Sequence, residues 1–108
     1  MDTIEAKRLE KRPEMTVDEL VLIADRAKDL RMRDLDKYEG YLTETDIQGM
    51  KYAMYRIPIL HERDLTLSIT FDASMDYVFQ IDLMDMDTRE ELNLLTDAHK
   101  LEEFLTTP

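Results

Sequence analysis

Residues 65–83 decide the fold. They read Leu65-Thr66-Leu67-Ser68-Ile69-Thr70-Phe71, then Asp72-Ala73-Ser74-Met75-Asp76, then Tyr77-Val78-Phe79-Gln80-Ile81-Asp82-Leu83. In the first stretch apolar and hydroxyl residues alternate without a fault, the pattern of a strand with one buried face. The next five residues are turn formers. Beyond them Tyr77, Phe79, Ile81 and Leu83 alternate with Val78, Gln80, Asp82 and Met84, a second strand. The pattern predicts an antiparallel hairpin in which Leu65, Leu67, Ile69 and Phe71 face the same core as Phe79 and Ile81. A slip of one residue turns that apolar set outward, so the register is well specified. A hairpin alone is not stable in water, and helices must cover its apolar face.

Working toward the N-terminus, Thr16 with Glu19 three residues later forms a capping box. Leu20, Ile23, Ala24, Ala27 and Leu30 then recur at helical spacing, predicting a helix from about 17 to 36 with a mixed-charge outer face of Asp25, Lys28, Asp29 and Arg33. Residues 3–12 are good helix formers with few apolar anchors, stopped by Pro13, so 1–13 reads as a mobile arm or a short docked helix. Gly40 is a candidate end for the first helix. Between it and the hairpin two readings compete. Thr43 with Asp46 caps a short helix that buries Ile47, Met50 and Met54. Alternatively 50–60 (MKYAMYRIPIL) is a strand with Ala53, Tyr55, Ile57 and Ile59 on one face, confined to a sheet edge by Pro58. The helical reading is preferred, followed by an extended stretch at 56–60.

On the C-terminal side, Asp87 and Glu90 suit the start of a last helix, with Leu94, Leu95, Ala98, Leu101 and Leu105 as its buried stripe. The expected fold is one α+β domain over 1–108: an antiparallel hairpin, or a three-stranded sheet, packed against two or three helices in the order α–(α or β)–β–β–α, with an open sheet edge as a further feature.

The bulk composition narrows the function. The chain has 108 residues and a formal net charge of −11, from 25 acidic and 14 basic residues. Hydrophobic residues make up 44%, enough for a core and too many for a disordered acidic tail. Residues 1–37 carry a net −1 and residues 38–108 a net −10, so the excess lies in the second part. Such a surface repels nucleic acid and anionic lipid, and attracts basic proteins. Solubility alone is the plainer use of the same charge. With no cysteine, disulfides and thiolate metal sites are excluded. The charged N-terminus lacks the apolar segment of a signal peptide, and the longest apolar run is Leu20–Ala24, so a cytoplasmic protein without a membrane span is expected.

Chemistry-bearing patterns are weak. Asp82, Asp85, Asp87, Glu90 and Glu91 are the densest acids, but no glycine allows a calcium loop, and Met84 and Met86 interrupt them. The better reading is a strand end and helix cap facing water, and no metal or other cofactor is expected. His61 and His99 show no HxxxH spacing; His61 reads as a surface loop residue and His99 as a partly covered helical one. Ser68 and Ser74 lie outside any nucleophile elbow, and two glycines are too few for a phosphate loop. The eight methionines and five tyrosines either plug the core or form a protein-binding face. For Met50 and Met54 the core is favoured; for Met84 and Met86, which flank acids, both remain open.

These patterns lead to a non-enzymatic binding protein, a regulator or inhibitor. It docks through Asp76, Asp82, Met84, Asp85, Met86, Asp87, Glu90 and Glu91 on a basic partner surface, without binding nucleic acid itself. A sharper form is a nucleic-acid mimic, of the kind phages and mobile elements encode, occupying a nucleic-acid-binding protein. The rival expectation is an assembly subunit forming a homo-oligomer through an open strand edge or the N-terminal arm.

Overall fold

Thr16 opens the first helix with both halves of the capping box. Its hydroxyl accepts from the Glu19 N–H at 3.2 Å, and the Glu19 carboxylate accepts from the Thr16 N–H at 3.0 Å. In the computed structural model, which describes residues 11–106, this helix is α1 (Val17–Asp25). The helix read over 3–12 falls almost wholly outside the described residues. Strands β1 (Tyr41–Ile47), β2 (Met50–Pro58), β3 (Leu65–Asp72), β4 (Tyr77–Asp85) and β5 (Glu91–Asn93) follow, and α2 (Leu101–Thr106) ends the chain. The five strands form an antiparallel meander in sequence order. The class is α+β, with two more strands than the largest sheet expected and with strand, not helix, in the middle of the chain.

The hairpin of β3 and β4 is present, with Leu67 opposite Leu83 and Ile69 opposite Ile81. It differs from expectation at one point. The register shifts between Thr70 and Phe71, so Phe71 pairs with Val78 and Thr70 with Gln80. This bulge turns Val78 inward to 4% exposure and leaves Phe79 at 58%. Phe79 is therefore a surface residue, not part of the core.

The first helix is shorter than 17–36. It ends at Arg26, and Ala27–Asp29 and Met32–Leu35 are separate 3₁₀ turns. Leu30 and Arg31 between them are extended. The break is held by side chains that satisfy freed backbone donors: Asp34 accepts from the Arg31 N–H at 2.9 Å and Asp76 from the Met32 N–H at 2.7 Å. Bending here lets Ala27, Leu30, Leu35 and Tyr38 all reach the core. Glu19 then ties the helix to the following segment. It accepts from the Tyr38 hydroxyl at 2.9 Å and pairs with Arg12 and with Lys37. Burial pushes the Glu19 carboxyl up, but the Thr16, Tyr38 and Arg12 donors outweigh it and hold the group at about 2. Burial, and then the Glu19 carboxylate, push the Tyr38 hydroxyl up.

Residues 41–58 form a β-hairpin, not a helix. Gln48 and Gly49 both have positive φ, 53° and 82°, the requirement of a tight two-residue hairpin turn. The Asp46 carboxylate accepts from the Gly49 N–H at 3.0 Å. Ala53, Ile57 and Ile59 are buried, with Tyr55 packed edge-on against Phe71 at 5.8 Å. Ile47 and Met50, expected inside, are exposed. β2 is an interior strand despite Pro58, because β1 stops pairing at Arg56. Beyond that point Met15 takes over, donating to the Pro58 carbonyl at 2.9 Å and accepting from the Leu60 N–H at 2.7 Å. Gly40 ends no helix. A Cβ there would lie 2.6 Å from the Arg56 carbonyl oxygen and 2.6 Å from Ile57, so only glycine allows the chain to pass this close to β2.

No helix starts at Asp87. The Asp85 carboxylate accepts from the Asp87 and Thr88 N–H groups at 2.9 and 3.1 Å, closing a turn that returns as β5. Asn93 repeats the device on Leu95 and Thr96. Leu94 and Leu101 are buried as expected, on a turn and on the short α2. One core results, between the inner face of the sheet and the helical layer, where Leu20, Leu30, Leu35, Ile57, Leu67, Ile69, Phe71, Ile81 and Leu83 have no accessible surface.

Candidate functional site

Because side chains alternate along a strand, the register that buries Leu67, Ile69, Ile81 and Leu83 sends their neighbours to the other face. There β3 contributes Thr66, Ser68 and Thr70, β2 contributes Tyr52, Met54 and Arg56, and β4 contributes Gln80, Asp82 and Met84. Cross-strand pairing adds Asn93 beside Asp82 and Glu91 beside Met84. None of the three hydroxyl residues on β3 is fully buried. The buried residues of both helices join the cluster on the inner face, so among the described residues this outer face carries no helical cover.

The face has two chemically distinct ends. Toward the β1–β2 turn lie the exposed Ile47, Met50 and Phe79, with the Tyr52 ring 5.5 Å from that of Phe79 at a tilt of 57°. This end is apolar and aromatic, and the β4 bulge adds Phe79 to it. Toward the β4–β5 turn lie Asp82, Met84 and Glu91, followed by the exposed Asp87 and Glu90. The Asp82 carboxylate accepts from the Gln80 side-chain amide, which fixes its position on the strand.

The expected docking residues therefore divide. Asp82, Met84 and Glu91 share the outer face, and Asp87 and Glu90 adjoin it in the turn. Met86, half-buried, donates its N–H to the Asp64 carbonyl at 2.8 Å. Asp76 lies at the opposite end of β4, with φ of 50°, engaged with Met32. Asp85 leaves the exposed set altogether: it is 3% accessible and faces the core side. The Thr88 N–H lowers its pKa most, against burial, with the Asp87 N–H and the Arg63 guanidinium at 3.6 Å adding to the effect. Arg63 also donates to the Phe104 carbonyl and lies over the Phe104 ring, so Asp85 and Arg63 lock the turn to α2. Residues sequence reasoning placed inside, Ile47, Met50 and Phe79, are part of the surface; Val78 and Phe79 are both apolar, so their order carries no sign of the bulge.

A second concavity lies between α1 and α2, an open groove of about 590 Å³ lined by Val17, Val21, Leu101 and Leu105. His61 and His99 both line it, with Asp25 and Glu102. No sequence spacing signals that meeting. His61 is committed locally, its Nδ1 accepting from the Arg63 N–H at 3.1 Å. Among the described residues no group of three His, Asp or Glu is arranged to hold a metal ion. Ser68 on the outer face has Arg56 and Asp82 as strand neighbours, and Ser74 lies in a turn closed by Asp72.

No protein-family model, no curated protein and no solved structure matches the chain. No helix among the described residues is long and apolar enough to cross a membrane.

Proposed function

We propose that this protein is a non-enzymatic binding protein, a regulator or inhibitor, that docks the outer face of its sheet on a basic surface of another protein. The observation that supports it most is the juxtaposition on one uncovered face of an aromatic and methionine end with a carboxylate end. Large aromatic side chains and adaptable thioethers provide contact area, and the acids provide steering and register. A net charge of −11 extends that attraction beyond contact distance at low salt.

The test is affinity capture from the native host at two salt concentrations, using the wild type and a variant carrying Asp82→Asn, Asp87→Asn, Glu90→Gln and Glu91→Gln. A partner with a basic surface is expected to be retained by the wild type and lost by the variant and at high salt. Capture unchanged in the variant contradicts the proposal. If the partner binds nucleic acid, competition by that nucleic acid decides for mimicry.

The homo-oligomer reading has one observation in its favour, the seven-residue edge strand β1. Light scattering distinguishes it: a defined oligomer favours assembly, and a strict monomer favours hetero-association.

A further inference from the structure

β1 is a sheet edge among the described residues. It pairs with β2 from Tyr41↔Arg56 to Ile47↔Met50 and has no strand on its other side. Its outward N–H and C=O groups are a template for another strand. Proteins blunt such edges with charged side chains, lysine above all, with inward-pointing charges, proline, bulges or very short strands. Residues 41–47 (YLTETDI) contain neither lysine nor proline, and the register is unbroken over seven residues. What the edge has instead is negative charge. Glu44 and Asp46 are exposed on one face of it, two residues apart. The β2 neighbour of Asp46 is Lys51, but that of Glu44 is Ala53, so no base stands across from Glu44. Burial, and then the Asp36, Asp76 and Glu44 carboxylates, push the Tyr55 hydroxyl up.

These charges discriminate between occupants. A second copy paired antiparallel through all seven residues sets Glu44 against Glu44, and like charges directly opposite are destabilising. Two chains of −11 repel in addition. A strand with basic residues at alternate positions meets both Glu44 and Asp46. Its intervening side chains then lie beside Thr45 and the exposed Ile47, next to the apolar end of the outer face.

We propose that β1 takes up, by strand addition, an extended segment of a partner protein that carries lysine or arginine at alternate positions. This rests on the binding-protein reading and names the entry point of the partner. The main-chain ladder supplies affinity, and the alternating charge fixes register and excludes self-pairing.

The experiment uses a short synthetic peptide of alternating lysine and threonine, and the same peptide N-methylated on every backbone nitrogen. Binding is followed by titration, and amide hydrogen exchange is read by NMR. Alternate amides of Tyr41–Ile47 are expected to become protected. The variant Glu44→Lys/Asp46→Lys is expected to lose about tenfold or more in affinity, and Asp25→Lys/Asp29→Lys, the same charge change at exposed positions on the helical layer, to stay within about twofold. The N-methylated peptide is expected not to bind. Thermal melting of both variants checks that they fold. Equal binding of the N-methylated peptide, or an equal loss in the Asp25/Asp29 variant, overturns strand addition while leaving docking on the outer face intact. Absence of binding by the unmodified peptide at low salt overturns strand addition as well, and the capture experiment then decides the wider proposal by itself.

Discussion

The two faces of the sheet are built from the same strands and differ in almost everything else. On the inner face Leu67, Ile69, Ile81 and Leu83 touch only protein. On the outer face their neighbours Thr66, Ser68, Asp82 and Met84 stay partly open to water. One face is filled with branched aliphatics of defined rotamer, which specify a unique packing. The other mixes hydroxyls, methionine, tyrosine and carboxylates, a composition that fixes no single packing and stays in contact with water. Stability is thus concentrated on the side the helices cover.

Substitutions should divide along the same line. Phe71→Ala, on the inner face with no accessible surface, is expected to cost about 3–5 kcal/mol of unfolding free energy, measured by denaturant titration. Next comes Gly40→Ala, where the added methyl meets the Arg56 carbonyl at 2.6 Å; a loss of about 1–3 kcal/mol is expected from overpacking. A smaller value there means that the β1–β2 hairpin shifts away from the 38–40 segment at low cost.

Glu19→Gln tests the link between α1 and Tyr38. The folded carboxyl titrates at about 2 against an ordinary 4.5, so its stabilisation is full above pH 4.5 and lost as pH falls toward 2. The variant is expected to be less stable than wild type at pH 7 by about 1.5–3 kcal/mol, the scale of a hydrogen bond to a charged group. The gap should close across that acid window, as read by melting temperature against pH. A gap that persists at pH 2 points to packing and not to charge.

The smallest stability effects belong to the outer face. Thr70→Ala and Phe79→Ser are expected to change unfolding free energy by no more than about 0.5 kcal/mol. If docking uses this face, Phe79→Ser weakens partner binding while leaving the melting temperature unchanged.

The same contrast explains what was legible in the sequence. The β3–β4 hairpin was readable because β3 alternates aliphatics with hydroxyls, a contrast that survives on a half-buried strand. The β1–β2 hairpin was not. In β2 the inward Ala53, Tyr55 and Ile57 alternate with Met50, Tyr52 and Met54, which are apolar too, so the period of two is masked by the apolar residues of the open face. Its turn is Gln48-Gly49, and glutamine at positive φ is a weak signal. Val78 and Phe79 are both apolar, so nothing marked the bulge that exchanges them. The last helix was misplaced because Asp85 and Asn93 have the chemistry of both helix caps and turns, and here each closes a turn. The acids at Asp82, Asp87, Glu90 and Glu91 were found from charge density alone, but charge density could not separate them from the buried Asp85.

The most direct measurement is NMR mapping of the interface with the captured partner bound to the isotope-labelled protein. Docking on the open face predicts that perturbed residues gather at Tyr52, Met54, Phe79, Asp82, Met84 and Glu91, together with the β1 edge. Perturbations gathered instead around His61, His99 and the groove between α1 and α2, with the sheet face unchanged, would contradict it.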